Sequence, residues 1–101
     1  MRTTYKINIT TRAQQDTENI FVYLERERRF AATKFFQQFE KHASGLRWAP
    51  ARYPKIRERF RNRRTYRHIP FLRYRLVYRI QRRVVIILRV VHQSQLLREV
   101  E

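Results

Sequence analysis

Between Tyr74 and Ser94 the chain carries two runs of different periodicity with three residues between them. In Tyr74-Arg75-Leu76-Val77-Tyr78-Arg79-Ile80, the residues Tyr74, Leu76, Tyr78 and Ile80 alternate with Arg75, Val77 and Arg79. A period of two puts the first set on one face and the second on the other, the pattern of a half-buried strand. The second run, Val84-Val85-Ile86-Ile87-Leu88-Arg89-Val90-Val91-His92-Gln93-Ser94, is dense in β-branched residues. It is too short to cross a membrane and carries a charge, so it reads as a central strand. The short Gln81-Arg82-Arg83 connection makes the two an antiparallel hairpin. Inward hydrophobics, outward arginines and a strand-end histidine then share one element, which carries both core and candidate site.

The rest of the chain supplies what such a hairpin packs against. Tyr5-Lys6-Ile7-Asn8-Ile9 alternates and predicts a strand. Thr11 with Gln14 three residues on resembles a capping box, opening a helix in which Ala13, Thr17, Ile20, Phe21 and Leu24 recur at helical spacing. The charged stretch Glu25 to Arg29 marks a polar corner. A second helix follows, with Ala32, Phe35, Phe36, Phe39, Ala43 and Leu46 as its apolar stripe and its end between Gly45 and Trp48, before Pro50. That stripe fits core packing against a sheet better than a ligand box, and Trp48 near the helix end reads as a core plug in preference to a platform for stacking a nucleobase. From Ala49 to Arg63 the periodicity dissolves into an exposed basic loop. Arg64-Thr65-Tyr66-Arg67-His68-Ile69 reads as a strand ending at Pro70. The order β-α-α-β-β-β predicts one α+β domain over residues 1–101, a helical hairpin packed on a mostly antiparallel sheet.

Charge narrows the partners. The 101 residues hold 24 Lys and Arg against 8 Asp and Glu, a formal net charge of +16. Lys6, Lys34, Lys41 and Lys55 are the only lysines, so most of the charge is arginine, whose planar fork suits phosphates and carboxylates. A chain this basic seeks an anionic partner, nucleic acid or an acidic protein. The acids cluster near the N-terminal half and the C-terminal end. Between Arg52 and Arg83 the only one is Glu58. Cysteine is absent, which excludes disulfides and zinc–thiolate sites, and three scattered histidines do not make a metal site. No cofactor is implied. No apolar run reaches membrane length and the start lacks a signal-peptide core, so a cytoplasmic protein without a membrane partner is expected.

In this order and at this length, several short stretches together resemble the RelE/ParE superfamily of type II toxin–antitoxin toxins. They are Arg12-Ala13-Gln14-Gln15-Asp16, Arg52-Tyr53-Pro54-Lys55-Ile56, Tyr66-Arg67-His68-Ile69-Pro70-Phe71, Tyr74-Arg75-Leu76-Val77-Tyr78 and Leu88-Arg89-Val90-Val91-His92-Gln93-Ser94. The resemblance implies a small bacterial toxin, of the kind that serves plasmid stabilisation, held inactive by a co-expressed antitoxin that wraps it. An acidic, partly disordered antitoxin would match the basic surface.

The superfamily divides by target. RelE-like members are mRNA interferases that cut messages in the ribosome, whereas ParE-like members poison DNA gyrase. An interferase needs a base, an acid and cations for the phosphorane-like state. The resemblance places Arg75 where RelE-like enzymes carry a phosphate-stabilising arginine. It places His92 where some superfamily nucleases keep a histidine acid or base, and Arg67 near their lysines, with Lys55 and Glu58 as loop candidates. The lysine pair of RelE is missing, since Ile69 holds the alternate position, and the tail after His92 lacks the basic, tyrosine-bearing ending. Val91-His92-Gln93-Ser94 and Pro70-Phe71 match the ParE-like branch, although many of its members carry an aliphatic residue where Arg75 stands. Bland roles are available too: His92 shares parity with Val84, Ile86, Leu88 and Val90 and could be a core-edge histidine, and Arg75 could be an exposed strand residue. His68 reads as structural and His42 as solvated. The expectation favours a ParE-like gyrase inhibitor, with Lys55, Arg57, Arg59, Arg61, Arg63 and Arg64 binding the target or an anion. The alternatives are an interferase using Arg75, His92 and Arg67, and a basic nucleic-acid-binding module without toxicity, which would bind any duplex in a salt-dependent way.

Overall fold

A computed structural model describes residues 4–101. The elements run β1 (Lys6–Ile9), α1 (Thr11–Glu27), α2 (Arg29–Gly45), a single 3-10 turn (Pro50–Arg52), β2 (Arg67–Phe71), β3 (Tyr74–Gln81) and β4 (Val84–His92). The sheet order is β1-β4-β3-β2, with β1 parallel to β4 and the other pairs antiparallel. This is the expected α+β arrangement, with β4 central.

Local chemistry shifts several boundaries. The N-cap of α1 is Thr10 rather than Thr11: its hydroxyl accepts from the Ala13 N–H at 3.1 Å. The same hydroxyl donates to the Leu88 carbonyl at 3.3 Å, tying the helix start to β4. Arg28, extended at φ −154°, is the one residue separating the helices, so the polar corner is real and abrupt. β2 begins three residues later than expected and runs through Pro70, which pairs with Arg75. Proline is tolerated there because β2 is an edge strand and its missing N–H faces away from the ladder. The β3–β4 turn is two residues, Arg82 and Arg83, with Arg82 at φ 56°; Leu72, at φ 53°, opens the matching turn between β2 and β3.

The main core lies between helices and sheet. Phe35, Phe39, Ala43 and Leu46 of α2 and Ala13 of α1 pack with Ile69, Phe71, Leu76, Tyr78, Val85, Ile87 and Val90. Aromatic rings lock the contact: Phe35 stacks on Phe71 at 5.6 Å and meets the edge of Tyr74 at 5.1 Å. Phe36, expected in this stripe, instead stays about half exposed and rests edge-on against Phe21 of α1.

The opposite face of the sheet is not the solvated arginine face that alternation suggests. Val77, Leu88 and Val91 form a second core there with Ile56, Tyr66, Leu97 and Val100. The cover is the 53–66 connection and the C-terminal tail. Ile56 N–H donates to the Tyr66 carbonyl and His68 N–H to the Pro54 carbonyl, so residues 54–56 run beside β2. Register also breaks once: Val77 pairs with Arg89 but Tyr78 with Ile87, so Leu88 is an extra residue in β4. This bulge reverses the facing of the strand beyond it. His92 therefore lies on the helix side with Val85, Ile87 and Val90, not with Ile86 and Leu88, and the parity argument for it fails.

Candidate functional site

Arg75 sits on the second face and is 1% exposed, which overturns its reading as an exposed strand residue. Its guanidinium grips Glu58 with both terminal nitrogens, NH1 reaching Oε1 at 3.1 Å and NH2 bonding Oε2. NH2 also donates to the Gln95 carbonyl at 2.8 Å, and NH1 lies 3.4 Å from His68 Nδ1. Glu58 accepts a further bond from the Leu97 N–H at 2.9 Å. One ion pair therefore fastens the loop, through Glu58, and the tail, through Gln95 and Leu97, to the strand that carries Arg75. Burial alone would raise the Glu58 pKa, but the bonds from Arg75 and Leu97 outweigh it and hold the carboxyl down at about 2. Burial and the nearby Arg75 charge push the His68 pKa below its ordinary value. Among the described residues the Arg75 Nε has no hydrogen-bond partner.

The three residues of the interferase expectation do not converge. His92 and Arg67 lie on the helix side of the sheet, since they pair with Tyr74 and Tyr78, whereas Arg75 lies on the other. Arg67 donates to the Tyr53 carbonyl at 2.7 Å and helps hold the loop. Tyr78 and Tyr74 are four ladder positions apart, so Arg67 and His92 are offset by about 13 Å along the strands. His92 is exposed, not a core-edge histidine. Its Nδ1 meets the Ser94 N–H at 3.1 Å and the Ser94 hydroxyl at 2.7 Å, and its ring stands edge-on to Tyr74.

Sequence reasoning missed the setting of His92. A cleft of about 300 Å³ between α1 and the end of β4 is lined by Asp16, Asn19, Tyr23, Tyr74, Arg89 and His92 among others. Asp16 accepts from Arg89 Nε at 2.8 Å and from the Val90 N–H at 3.0 Å, a second ion pair that anchors α1 to β4. The signal for it was the single charge inside the β-branched run, Arg89. The signal for the first pair was Glu58, the lone acid in a basic stretch.

The basic loop divides. Arg57 reaches the Gln93 carbonyl at 3.3 Å, and Arg64 pairs with Glu101 at 2.6 Å. Glu101 also accepts from Arg79 at 3.0 Å and from the Tyr66 hydroxyl at 2.7 Å. Burial opposes its charge, but these three donors keep its pKa below the usual range. Lys55, Arg59, Arg61 and Arg63 are exposed and unpaired with any acid among the described residues. A groove of about 480 Å³ runs between Lys55, Arg57, Arg59, Phe60, Arg63 and Arg64. Among the described residues no group of His, Cys, Asp or Glu could hold a metal ion, and no helix is long and apolar enough to cross a membrane.

The fold is similar to that of a solved structure described as a chromosomal ParDE TA system from P. aeruginosa. The TM-score is 0.71 over 88% of this chain and 96% of that one, at 14% sequence identity, a likeness of fold. Residues 7–97 match the ParE toxin of type II toxin-antitoxin system, parDE, and the chain belongs to that family. No curated protein matches its sequence.

Proposed function

We propose that this protein, as a single toxin domain, is a non-enzymatic inhibitor of DNA gyrase that acts in the cytoplasm and is neutralised by an acidic, partly disordered cognate antitoxin. The observation that carries the reading is the separation of Arg75 from His92 and Arg67. A phosphate in a cleavage site must touch cation, base and acid together. Here the sheet stands between them, and Arg75 spends its fork on Glu58. What the surface does offer is a run of exposed cations on one loop. Lys55, Arg57, Arg59, Arg61, Arg63 and Arg64 form the proposed target- or anion-binding surface, with Arg59, Arg61 and Arg63 the least engaged.

The interferase reading keeps one favourable observation. His92 is exposed beside Tyr74, Tyr23 and Arg89 in a cleft, with Nδ1 held by Ser94. In that reading His92 would transfer the proton on the ribosome, and Arg75 would have to leave Glu58 and the far face of the sheet to join Arg67 on the phosphate.

Purified protein added to gyrase, relaxed plasmid and ATP separates the two. The proposal requires loss of supercoiling, restored by antitoxin and retained by His92→Ala. Unimpaired gyrase, together with message cleavage in a translating extract that His92→Ala abolishes, would replace it with the interferase. Arg75→Ala is a poor discriminator, because removing a buried ion partner damages folding whatever the activity.

A further inference from the structure

Trp48 is the only tryptophan in the chain, and it is not the core plug that its place at a helix end suggests: it is 45% exposed. It lines a cleft of about 840 Å³ with Thr4, Lys6, Arg47, Arg82 and Arg83. Backbone bonds build the walls. Tyr5 N–H donates to the Arg47 carbonyl and Lys6 N–H to the Arg83 carbonyl, both at 2.9 Å. The start of β1 thus forms a floor between the end of α2 and the β3–β4 turn. Four cations converge there, no acid lines the cleft, and none of the four is ion-paired among the described residues. The cleft lies at the β1 edge, whereas the basic loop flanks β2, three strand spacings or about 14 Å away across the sheet.

We propose that this cleft is a binding site for single-stranded nucleic acid, with a base stacked on Trp48 and the flanking phosphates held by Lys6, Arg47, Arg82 and Arg83. An exposed indole beside unpaired arginines supplies the two interactions that single strands use, base stacking and phosphate neutralisation. A duplex keeps its bases stacked inside and offers the indole nothing. An acidic protein segment would satisfy the cations but leave the indole without a planar partner. The inference does not depend on the gyrase reading.

With one tryptophan, intrinsic fluorescence reports this site alone. The full-length chain is titrated at low salt with labelled oligo(dT) and oligo(U) of about 12 nucleotides, following indole quenching and oligonucleotide anisotropy together. Saturable quenching in step with anisotropy is expected. Arg82→Asn with Arg83→Gln, where Asn tolerates the positive φ of position 82, should weaken binding about tenfold and flatten the salt dependence by about 1.4 in log–log slope. Trp48→Ala should also weaken binding about tenfold, followed by anisotropy, with Trp48→Phe intermediate. If Trp48→Ala unfolds, the turn variant and Trp48→Phe decide. Anisotropy change without quenching would overturn the proposal, as would absence of binding. So would polyglutamate that quenches and displaces the oligonucleotide at equal charge, which would make the cleft an acidic-protein site. A larger loss from Arg59→Gln with Arg61→Gln than from the turn variant would move binding to the loop and equally defeat the idea.

Discussion

The two faces of the sheet are covered by different means. On one side, two helices lay an apolar stripe against Leu76, Tyr78, Val85, Ile87 and Val90, and many side chains share the burial. On the other, irregular segments do the covering. A smaller apolar patch is closed by the loop and tail, which are fastened by Glu58 on Arg75 and by Glu101 on Arg64, Arg79 and Tyr66. A helix brings its own backbone hydrogen bonds and needs only an apolar stripe to dock. A loop or tail has no such internal support, so a few polar anchors must fix its path.

The sharpest way to break this comparison is Glu58→Ala, which strands Arg75 as a buried unpaired charge and should cost about 3–5 kcal/mol. Because Glu58 holds both segments, amide exchange at Ile56 and Leu97 should accelerate beyond the loss of global stability. Replacing the pair together, Glu58→Leu with Arg75→Met, should recover most of the loss in chemical denaturation. Leu76→Ala on the helix side should cost about 2–4 kcal/mol, but as a uniform loss in exchange protection, since that face is shared among many residues. Leu97→Ala should cost about 2 kcal/mol and act mainly on the tail.

Acid sharpens the contrast with a smaller effect. His68 and His42 have folded-state pKa values lowered by burial and by Arg75 and Lys41 respectively, and Glu58 is held at about 2. In each case the unfolded chain binds the proton more readily, so stability falls as pH drops. The decline should begin below about 6.5, where unfolded histidine protonates, and steepen below about 4.5 as unfolded glutamate does so. Thermal unfolding followed from pH 8 to pH 3 checks this, and Glu58→Gln should shrink the lower step to the part that Glu101 contributes.

The same division explains what could be read from the sequence. The helix stripes, the hairpin and the element order follow from periodicity, because each residue repeats the message of its neighbours. The second face defeats that method. Alternation places Arg75, Val77 and Arg79 together but does not say whether water or a distant tail meets them. The Leu88 bulge is also silent in the sequence, yet it alone moves His92 to the helix side. Single long-range partners such as Glu58 with Arg75 or Asp16 with Arg89 leave no periodic trace. Their only mark is an isolated charge of the wrong kind for its surroundings.

The most direct test of the toxin's action is controlled expression of the intact chain in a bacterium, with message integrity and plasmid topology read from the same culture soon after induction. Gyrase inhibition requires disturbed supercoiling with intact messages, and the same outcome for His92→Ala. Cleaved messages with normal supercoiling would contradict it and give the site to His92, and a culture that grows unharmed would contradict both toxin readings.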